Sequence, residues 1–270
     1  MSAIKLSIII VAYKNQSVLA RCLNSIPKIP SWEVIVIDNS KKNGGFAVGC
    51  NLGAAKATGD YLLFLNPDCV MSEKSVKVLI EHFSKYPSTG IVAPKIVNLM
   101  QQPQLSYSLQ PTFTSSFFVY SFLGKYLHFL PLVKNHWFDH KIAPRMIQVG
   151  AVTGAAFIIP SSLFKKLNGF DENFFMYWEE TDLCRRCLRE GKNVVYEPRA
   201  VIMHEGAAST PKNNPIVLQW FKQSRLYFFR KHFGNVRGST VEYFLRLTES
   251  WSLMLLTITF FGNLLHTYNQ

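Results

Sequence analysis

The run Leu6–Ala12 (LSIIIVA) constrains the fold more than any other part of the chain, because it is apolar apart from Ser7 and carries β-branched residues in series. A strand with one wet face would alternate between apolar and polar residues. This one does not, so it is expected to be buried on both faces, as in a parallel sheet covered by helices. A helical stretch, Ser17–Ser25, follows, and a second apolar run, Glu33–Ile37 (EVIVI), ends at Asp38. The resulting β-α-β unit puts Asp38 at the carboxyl end of a strand, where open sheets receive ligands. Asn51–Thr58 reads as helix, and Tyr61–Leu65 (YLLFL) as a third buried strand that runs into Asn66-Pro67-Asp68. The expected class is α/β, with a mostly parallel central sheet flanked by helices.

Further along, Ser75–Tyr86 is an amphipathic helix and Gly90–Ala93 begins another strand. From Ile96 to Gly124 no residue is charged, and the wealth of Ser, Gln, Pro and aromatics reads as a loop or an acceptor-facing insertion. Strand character resumes over Ile147–Ile159, around Gly150 and Gly154. Glu180–Arg189 is helical, and Val194–Tyr196 and Val201–His204 are short strands. At 270 residues the chain suits one large α/β domain with an appendage. The expected division is a domain over 1–209, with halves of about 1–95 and 96–209, and a basic, apolar helical extension over 210–270.

A formal charge of +12 implies an anionic partner. The basic residues crowd toward the C-terminus (Lys212, Lys222, Arg225, Arg230, Lys231, Arg237, Arg246), interleaved with Trp220, Phe221, Tyr227, Phe228, Phe229 and Phe233. That mixture suits a lipid headgroup layer better than a nucleic-acid groove, and no helix-turn-helix, RNA-recognition or zinc signature supports nucleic acid. The best candidate for a membrane span, Trp251–Leu265, falls short of the ~20 apolar residues required. A peripheral contact with an anionic membrane is expected there, or else a core or homo-oligomer contact. The five scattered cysteines, with a strand rather than a leader at the first apolar run, fit the cytosol. Cys184 and Cys187 are read as helix residues packing on the domain.

Glycine patterns exclude two nucleotide-binding schemes. No G-x-G-x-x-G follows the first strand, and Gly44–Gly49 has P-loop spacing but leads into Cys50-Asn51 rather than Lys. Asp68, directly after a buried strand, can offer a carboxylate to a hard cation above the sheet or can simply close a turn after Pro67. Glu179, Glu180 and Asp182 cluster in an aromatic setting at a helix start, where the dipole favours acidic groups and one can act as a general base. Helix capping competes for Asp182.

Seven segments in order, SIIIVAYKN, EVIVIDNS, NGGFAVGCNLG, GDYLLFLNPDC, VTGAAFIIP, NGFDENFFMYWEETDLCRR and HEGAAS, resemble a family 2 glycosyltransferase of GT-A fold, in particular its rhamnosyltransferase-like branch. The resemblance implies an inverting enzyme that uses a nucleotide sugar and a divalent metal, Mn2+ or Mg2+. Donor-site positions would be Ala12, Tyr13, Asp38, Asn39, Gly45, Phe46, Asn51, Asn66 and Asp68, with Asp68 also binding the metal and His204 near it. Glu180 would be the base, beside Glu179 and Asp182. Gly154, Tyr177 and Trp178 would meet the acceptor. The implied donor is dTDP-L-rhamnose or a UDP-linked hexose, and the implied acceptor a lipid-linked surface glycan at the inner face of the cell membrane.

Three departures from the family pattern stand out. Asn66 replaces the first acid of a strict D-x-D, few residues separate Asp38 from Gly44, and Glu180 stands where relatives carry Asp. The extra methylene leaves Glu179 as an alternative base, and a non-catalytic sugar-binding subunit is the alternative to an enzyme.

Overall fold

The computed structural model describes residues 4–40, 42–121, 126–127, 129–136, 142–206 and 214–248. Strand β1 (Leu6–Ala12) is buried along its whole length and pairs in parallel with β2 (Trp32–Asp38) and β3 (Tyr61–Leu65). Helix α1 (Gln16–Ser25) connects β1 to β2, and the Asn15 side chain caps it by accepting from the Val18 N–H at 3.3 Å. Helix α2 (Phe46–Lys56) lies close on β1: a β-carbon on Gly53 would meet Ile9 Cγ2 at 2.4 Å. Glycine in the middle of this helix costs helix propensity, and the close approach to the sheet is what it gives in return.

Beyond β3, the sheet runs β2-β1-β3-β10-β5-β11-β4. Its outer part comprises β4 (Cys69–Val70), β5 (Thr89–Val97), β10 (Ala156–Pro160) and β11 (Asn193–His204), with β8 (Ile147–Val149) antiparallel on β11 and β9 (Ala151–Val152) in a separate two-stranded sheet. The two longest ladders, β1 with β2 and β5 with β11, are parallel, whereas β10 enters antiparallel between β3 and β5. Helix α3 (Glu73–Lys85), capped by Ser72, covers part of one face and buries Val76, Leu79, Ile80 and Phe83. The core is built on Ile8, Ile10, Leu63, Val92, Ile158 and Ile202. At about 1.5–3 kcal/mol per fully buried side chain, this layer dominates the stability of the sheet.

The chain divides into two compact units: Met1–Gln110 with His140–Ser224, and Pro111–Asp139 with Arg225–Gln270. In the second unit, helix α4 (Phe113–Val119) carries a capping box between Thr112 and Ser115, and α5 (Pro131–His136) sets His136 Nε2 3.1 Å from the Tyr120 hydroxyl. Arg225 and Glu242 form a buried two-point ion pair there, at 2.9 and 3.2 Å.

Two local expectations change. The helix read at Asn51–Thr58 begins at Phe46, because Gly45, at φ +91°, ends the preceding loop and lets the helix start at once. The uncharged stretch from Ile96 is not one loop. It contains the end of β5, the short strands β6 (Pro103–Gln104) and β7 (Tyr107–Ser108), and α4.

Candidate active site

At the carboxyl ends of β1 and β2, Ala12 is buried and Tyr13 half-buried, with the Lys14 ammonium 5.1 Å from the Tyr13 ring centroid. Asp38 is exposed at the end of β2 and accepts from the Ser40 N–H at 2.8 Å. Asn39 is buried: its N–H donates to the Ala12 carbonyl and its side-chain amide to the Gly45 carbonyl, both at 2.9 Å. This links the ends of the first two strands to the start of α2. A β-carbon on Gly45 would lie 2.3 Å from the Phe175 carbonyl oxygen, which also accepts from the Phe46 N–H at 2.9 Å. Asn51 grips the same returning segment. Its amide donates to the Phe170 carbonyl and to Glu172 Oε1, and its oxygen accepts from the Phe170 N–H, each at 2.9 Å.

At the end of β3, the Asn66 N–H is tied to the Ala155 carbonyl at 2.9 Å. Asp68 Oδ1 stands 3.2 Å from His204 Nε2, with only 8% and 18% of the two side chains exposed. The pair exists because β4 lies antiparallel on the end of β11, with Cys69 directly opposite His204. The donor atoms of Asp68, Cys69 and His204 all fall within 4.8 Å of one another. A carboxylate oxygen and an imidazole nitrogen form a donor pair that fits Mn2+ well, leaving room for phosphate oxygens and water. The Cys69 thiol donates to the Ala155 carbonyl at 3.3 Å and, without an ion, is held far above its usual range by burial first and by the Asp68 charge second. Alongside, the Glu205 N–H donates to the Asp68 carbonyl at 3.0 Å, and Arg21 and Glu205 form an ion pair across to α1.

After the short helix α6 (Ser161–Lys166), the acidic cluster opens helix α7 (Glu179–Arg189). Tyr177 and Trp178, just before it, both take left-handed backbone conformations, at φ +70° and +72°. Each such residue costs about 1–3 kcal/mol, which the surroundings must offset. They do so from helix α8 (Pro215–Phe233): the Ser224 hydroxyl donates to the Met176 carbonyl at 2.8 Å, Trp220 packs on Phe175, and Phe221 packs on both Tyr177 and Trp178.

The three carboxylates have different surroundings. Glu179 is 4% exposed, and burial, then the neighbouring Glu180, hold its carboxyl well above the ordinary range. Glu180 is half-buried, and burial raises it to about 7 against the opposing effect of its own backbone N–H and of the Gly154 backbone. The two titrate as a unit. Gly154 also brings Phe46 to the group, since a β-carbon there would lie 3.7 Å from the Phe46 ring and 4.0 Å from Glu180 Cδ. Phe46, Gly154 and Glu180, taken from three segments of the sequence, thus meet.

Asp182 has another role. Fully buried, it binds Arg186 Nε at 2.8 Å, while Arg186 Nη1 donates to the Leu167 and Gly169 carbonyls. The helix has no side-chain cap, so Asp182 does not cap it. Instead it anchors α7 to the preceding turn. Sequence reasoning passed over Gln110, whose amide donates to the Gly150 carbonyl at 2.8 Å and the Thr181 carbonyl at 3.1 Å. Nothing in its uncharged neighbourhood marked it.

The aromatic residues of the C-terminal region also change role. Trp220 and Phe221 pack on the Phe175–Trp178 segment, and Phe228 and Phe229 are fully buried. Phe228 and Phe229 are thus core residues, whereas Trp220 and Phe221 are half-buried. The expected helix Trp251–Leu265 and the last three residues of the HEGAAS segment lie outside the described residues, and no helix among those described is long and apolar enough to cross a membrane.

This arrangement has parallels among known proteins. The N-acetylglucosaminyl-diphospho-decaprenol L-rhamnosyltransferase of Mycobacterium tuberculosis is 28% identical over 158 residues, which is 57% of this chain and 50% of that one. The rhamnosyltransferase WbbL of Escherichia coli is 30% identical over 155 residues, 55% of this chain and 53% of WbbL. The low-salt glycan biosynthesis hexosyltransferase Agl10 of Haloferax volcanii is 26% identical over 214 residues, 70% and 63% of the two chains. The chain thus spans about half the length of the mycobacterial and E. coli relatives.

Among solved structures, GalNAc-T7 with UDP, GalNAc and Mn2+ superposes with a TM-score of 0.57 at 15% identity, covering 91% of this chain and 55% of that one. TarS 1–349 of S. aureus gives 0.53 at 12% identity, covering 89% and 70%. These likenesses identify the fold as GT-A, the mostly parallel sheet with flanking helices described above. The family profile described as "Glycosyltransferase like family 2" matches residues 5–224, from the first buried strand through the helix that braces the acidic cluster. That match makes the chain a member of glycosyltransferase family 2.

Proposed function

We propose that this protein transfers a sugar, with inversion, from a nucleotide-sugar donor to a hydroxyl of a lipid-linked glycan. The observation that carries the proposal is the half-buried Glu180 carboxyl, raised to about 7 beside Gly154 and Phe46, because a general base works best when its pKa lies near the operating pH. Glu180 takes the proton from the acceptor hydroxyl. The oxygen then forms its bond to the anomeric carbon from one face while the bond to the diphosphate oxygen breaks on the other, and the charge leaves with the nucleoside diphosphate. Asp68 and His204 would hold the divalent cation, Mn2+ fitting the nitrogen ligand better than Mg2+. When bound, the ion supplies charge neutralisation to the leaving diphosphate. Asp38, Tyr13 and the Gly45–Phe46 turn lie at the strand ends where the nucleotide would bind.

The rhamnosyltransferase names of the mycobacterial and E. coli relatives support dTDP-L-rhamnose as donor, and the decaprenol diphosphate in the former name supports a lipid-linked acceptor. A UDP-linked hexose is the second reading, favoured by the Haloferax hexosyltransferase. An acceptor of this kind would bring the protein to the inner face of the cell membrane.

The test is thermal stabilisation by a panel of nucleotide sugars with and without Mn2+, because a ligand that binds only the folded state raises its stability. Stabilisation is expected with dTDP-L-rhamnose and Mn2+ together and is expected to be lost in Asp68→Ala, with transfer of labelled rhamnose to a polyprenyl-diphosphate glycan as the confirming assay. Stabilisation by no nucleotide sugar in the panel would overturn the proposal. Equal stabilisation of wild type and Asp68→Ala by donor and Mn2+ would overturn the metal assignment.

A further inference from the structure

We propose that Asp68, Cys69 and His204 form a three-ligand site for a thiophilic divalent cation of the Zn2+ type, bound through the Cys69 sulfur, which competes with the ion used by the donor. The proposal shares Asp68 and His204 with the metal assignment above and adds Cys69, to which that assignment gives no part.

The geometry that supports it is a cross-strand pair. Cys69 of β4 and His204 of β11 are directly opposite in an antiparallel ladder, so their side chains emerge on the same side. Asp68 joins them from the turn before β4, its Oδ1 already 3.2 Å from His204 Nε2. Oxygen, sulfur and nitrogen donors lie within 4.8 Å of one another. Bond lengths of about 2.0–2.3 Å in a tetrahedral zinc site bring ligand atoms to roughly 3.4–3.8 Å apart. The Asp68–His204 pair is already that close, and a side-chain adjustment of about 1 Å brings in the sulfur.

The donor set then separates two kinds of ion. A hard ion such as Mg2+ or Mn2+ takes oxygen and nitrogen and leaves the Cys69 S–H donating to the Ala155 carbonyl. Zn2+ forms a bond to the sulfur, the S–H bond breaks, the proton goes to solvent, and the Ala155 carbonyl loses its donor. Three protein ligands leave a tetrahedral ion with one open position. A diphosphate chelating through two oxygens needs two, so the zinc form cannot serve the donor in the way an octahedral ion does.

The test uses Co2+ alone as the spectroscopic probe on the full chain, followed by Zn2+, with no nucleotide present. A sulfur-to-cobalt charge-transfer band in the near ultraviolet is expected, abolished by Zn2+, absent in Cys69→Ser, Cys69→Ala and His204→Ala, and retained in Cys22→Ser. Zn2+ affinity should fall at least about tenfold in Cys69→Ser, the loss that even an outer partner of a ligand brings. Circular dichroism of each variant establishes that it is folded.

A wild-type protein without the band, or a band that survives in both folded Cys69 variants, overturns the proposal. The two metal assignments fail separately. Absence of the band with Mn2+-dependent nucleotide binding intact refutes the sulfur ligand alone. A Cys69-dependent band with no Mn2+ requirement for nucleotide binding refutes the donor's use of the site and leaves the zinc site standing.

Discussion

A β-carbon on Gly154 would lie 4.0 Å from Glu180 Cδ, so the Gly154 backbone faces this carboxyl and opposes the burial that raises it to about 7. Between the ordinary carboxylate value of 4.5 and about 7, the folded protein therefore holds a proton that the unfolded chain does not. Stability is expected to fall as pH rises through that window, while turnover rises, because the base must be unprotonated. Denaturation midpoints across the window and the acid limb of kcat measure the two effects. Glu180→Gln should flatten the Glu180 contribution to both and lower turnover by roughly 100-fold or more. Near-normal turnover in that variant with Glu179→Gln inactive would move the base to the more deeply buried neighbour.

Gly45→Ala tests the link between the two halves of the site. The position has φ +91°, and a β-carbon would meet backbone, the Phe175 carbonyl oxygen at 2.3 Å, which cannot rotate away. Strain and displacement together should cost about 1–3 kcal/mol. The Phe46 N–H to Phe175 carbonyl bond should be lost with them. A lower denaturation midpoint together with weakened donor binding is expected, and an unchanged midpoint would refute the close approach.

Asp182 is expected to matter for folding rather than chemistry. Arg186→Met would remove the cation that binds the buried Asp182 carboxylate at 2.8 Å, a change that costs up to about 3–5 kcal/mol in comparable buried pairs. Asp182→Asn with Arg186→Met should recover much of that loss. In the fraction that remains folded, kcat should stay close to wild type. A large fall in kcat for folded Asp182→Asn, at unchanged stability, would return Asp182 to the reaction.

What could be read in advance follows from how local each signal is. The runs at Leu6–Ala12 and Tyr61–Leu65 have no polar face, so burial on both sides follows from composition, and the strand ends carrying Asp38 and Asp68 come with them. The direction of β10 was not legible, because an apolar run such as Ala156–Pro160 is the same parallel or antiparallel. Nor was the start of α2, where Gly44, Gly45 and Gly49 conceal a helix whose glycines serve close packing. The carboxylates at 179, 180 and 182 stood out together, but their division of labour depends on partners from elsewhere in the chain, such as Gly154 for Glu180. The Arg186 pairing was visible only as one i,i+4 option among several. Aromatic residues such as Phe228 and Phe229 satisfy a core and a headgroup layer equally well, and only packing decides.

The remaining prediction concerns the membrane. In the second unit, residues 235–248 are helical, and Val236, Tyr243 and Leu247 are exposed at 80%, 66% and 41%, a spacing that puts them along one side of the helix. Arg237 and Arg246 flank them, and basic residues near an anionic surface contribute about 1 kcal/mol each. This stripe, rather than the buried aromatics of α8, is expected to meet lipid. Flotation should therefore show binding to vesicles rich in phosphatidylglycerol that weakens as salt is raised, because exposed charges are screened within about 10 Å at 0.1 M. Val236→Ser with Tyr243→Ser should reduce recovery at every lipid composition, and Arg237→Gln should reduce it on anionic vesicles only. Equal recovery with neutral and anionic vesicles would remove the electrostatic contribution. Recovery unchanged by the Val236 and Tyr243 substitutions would show that this stripe is not what touches the membrane.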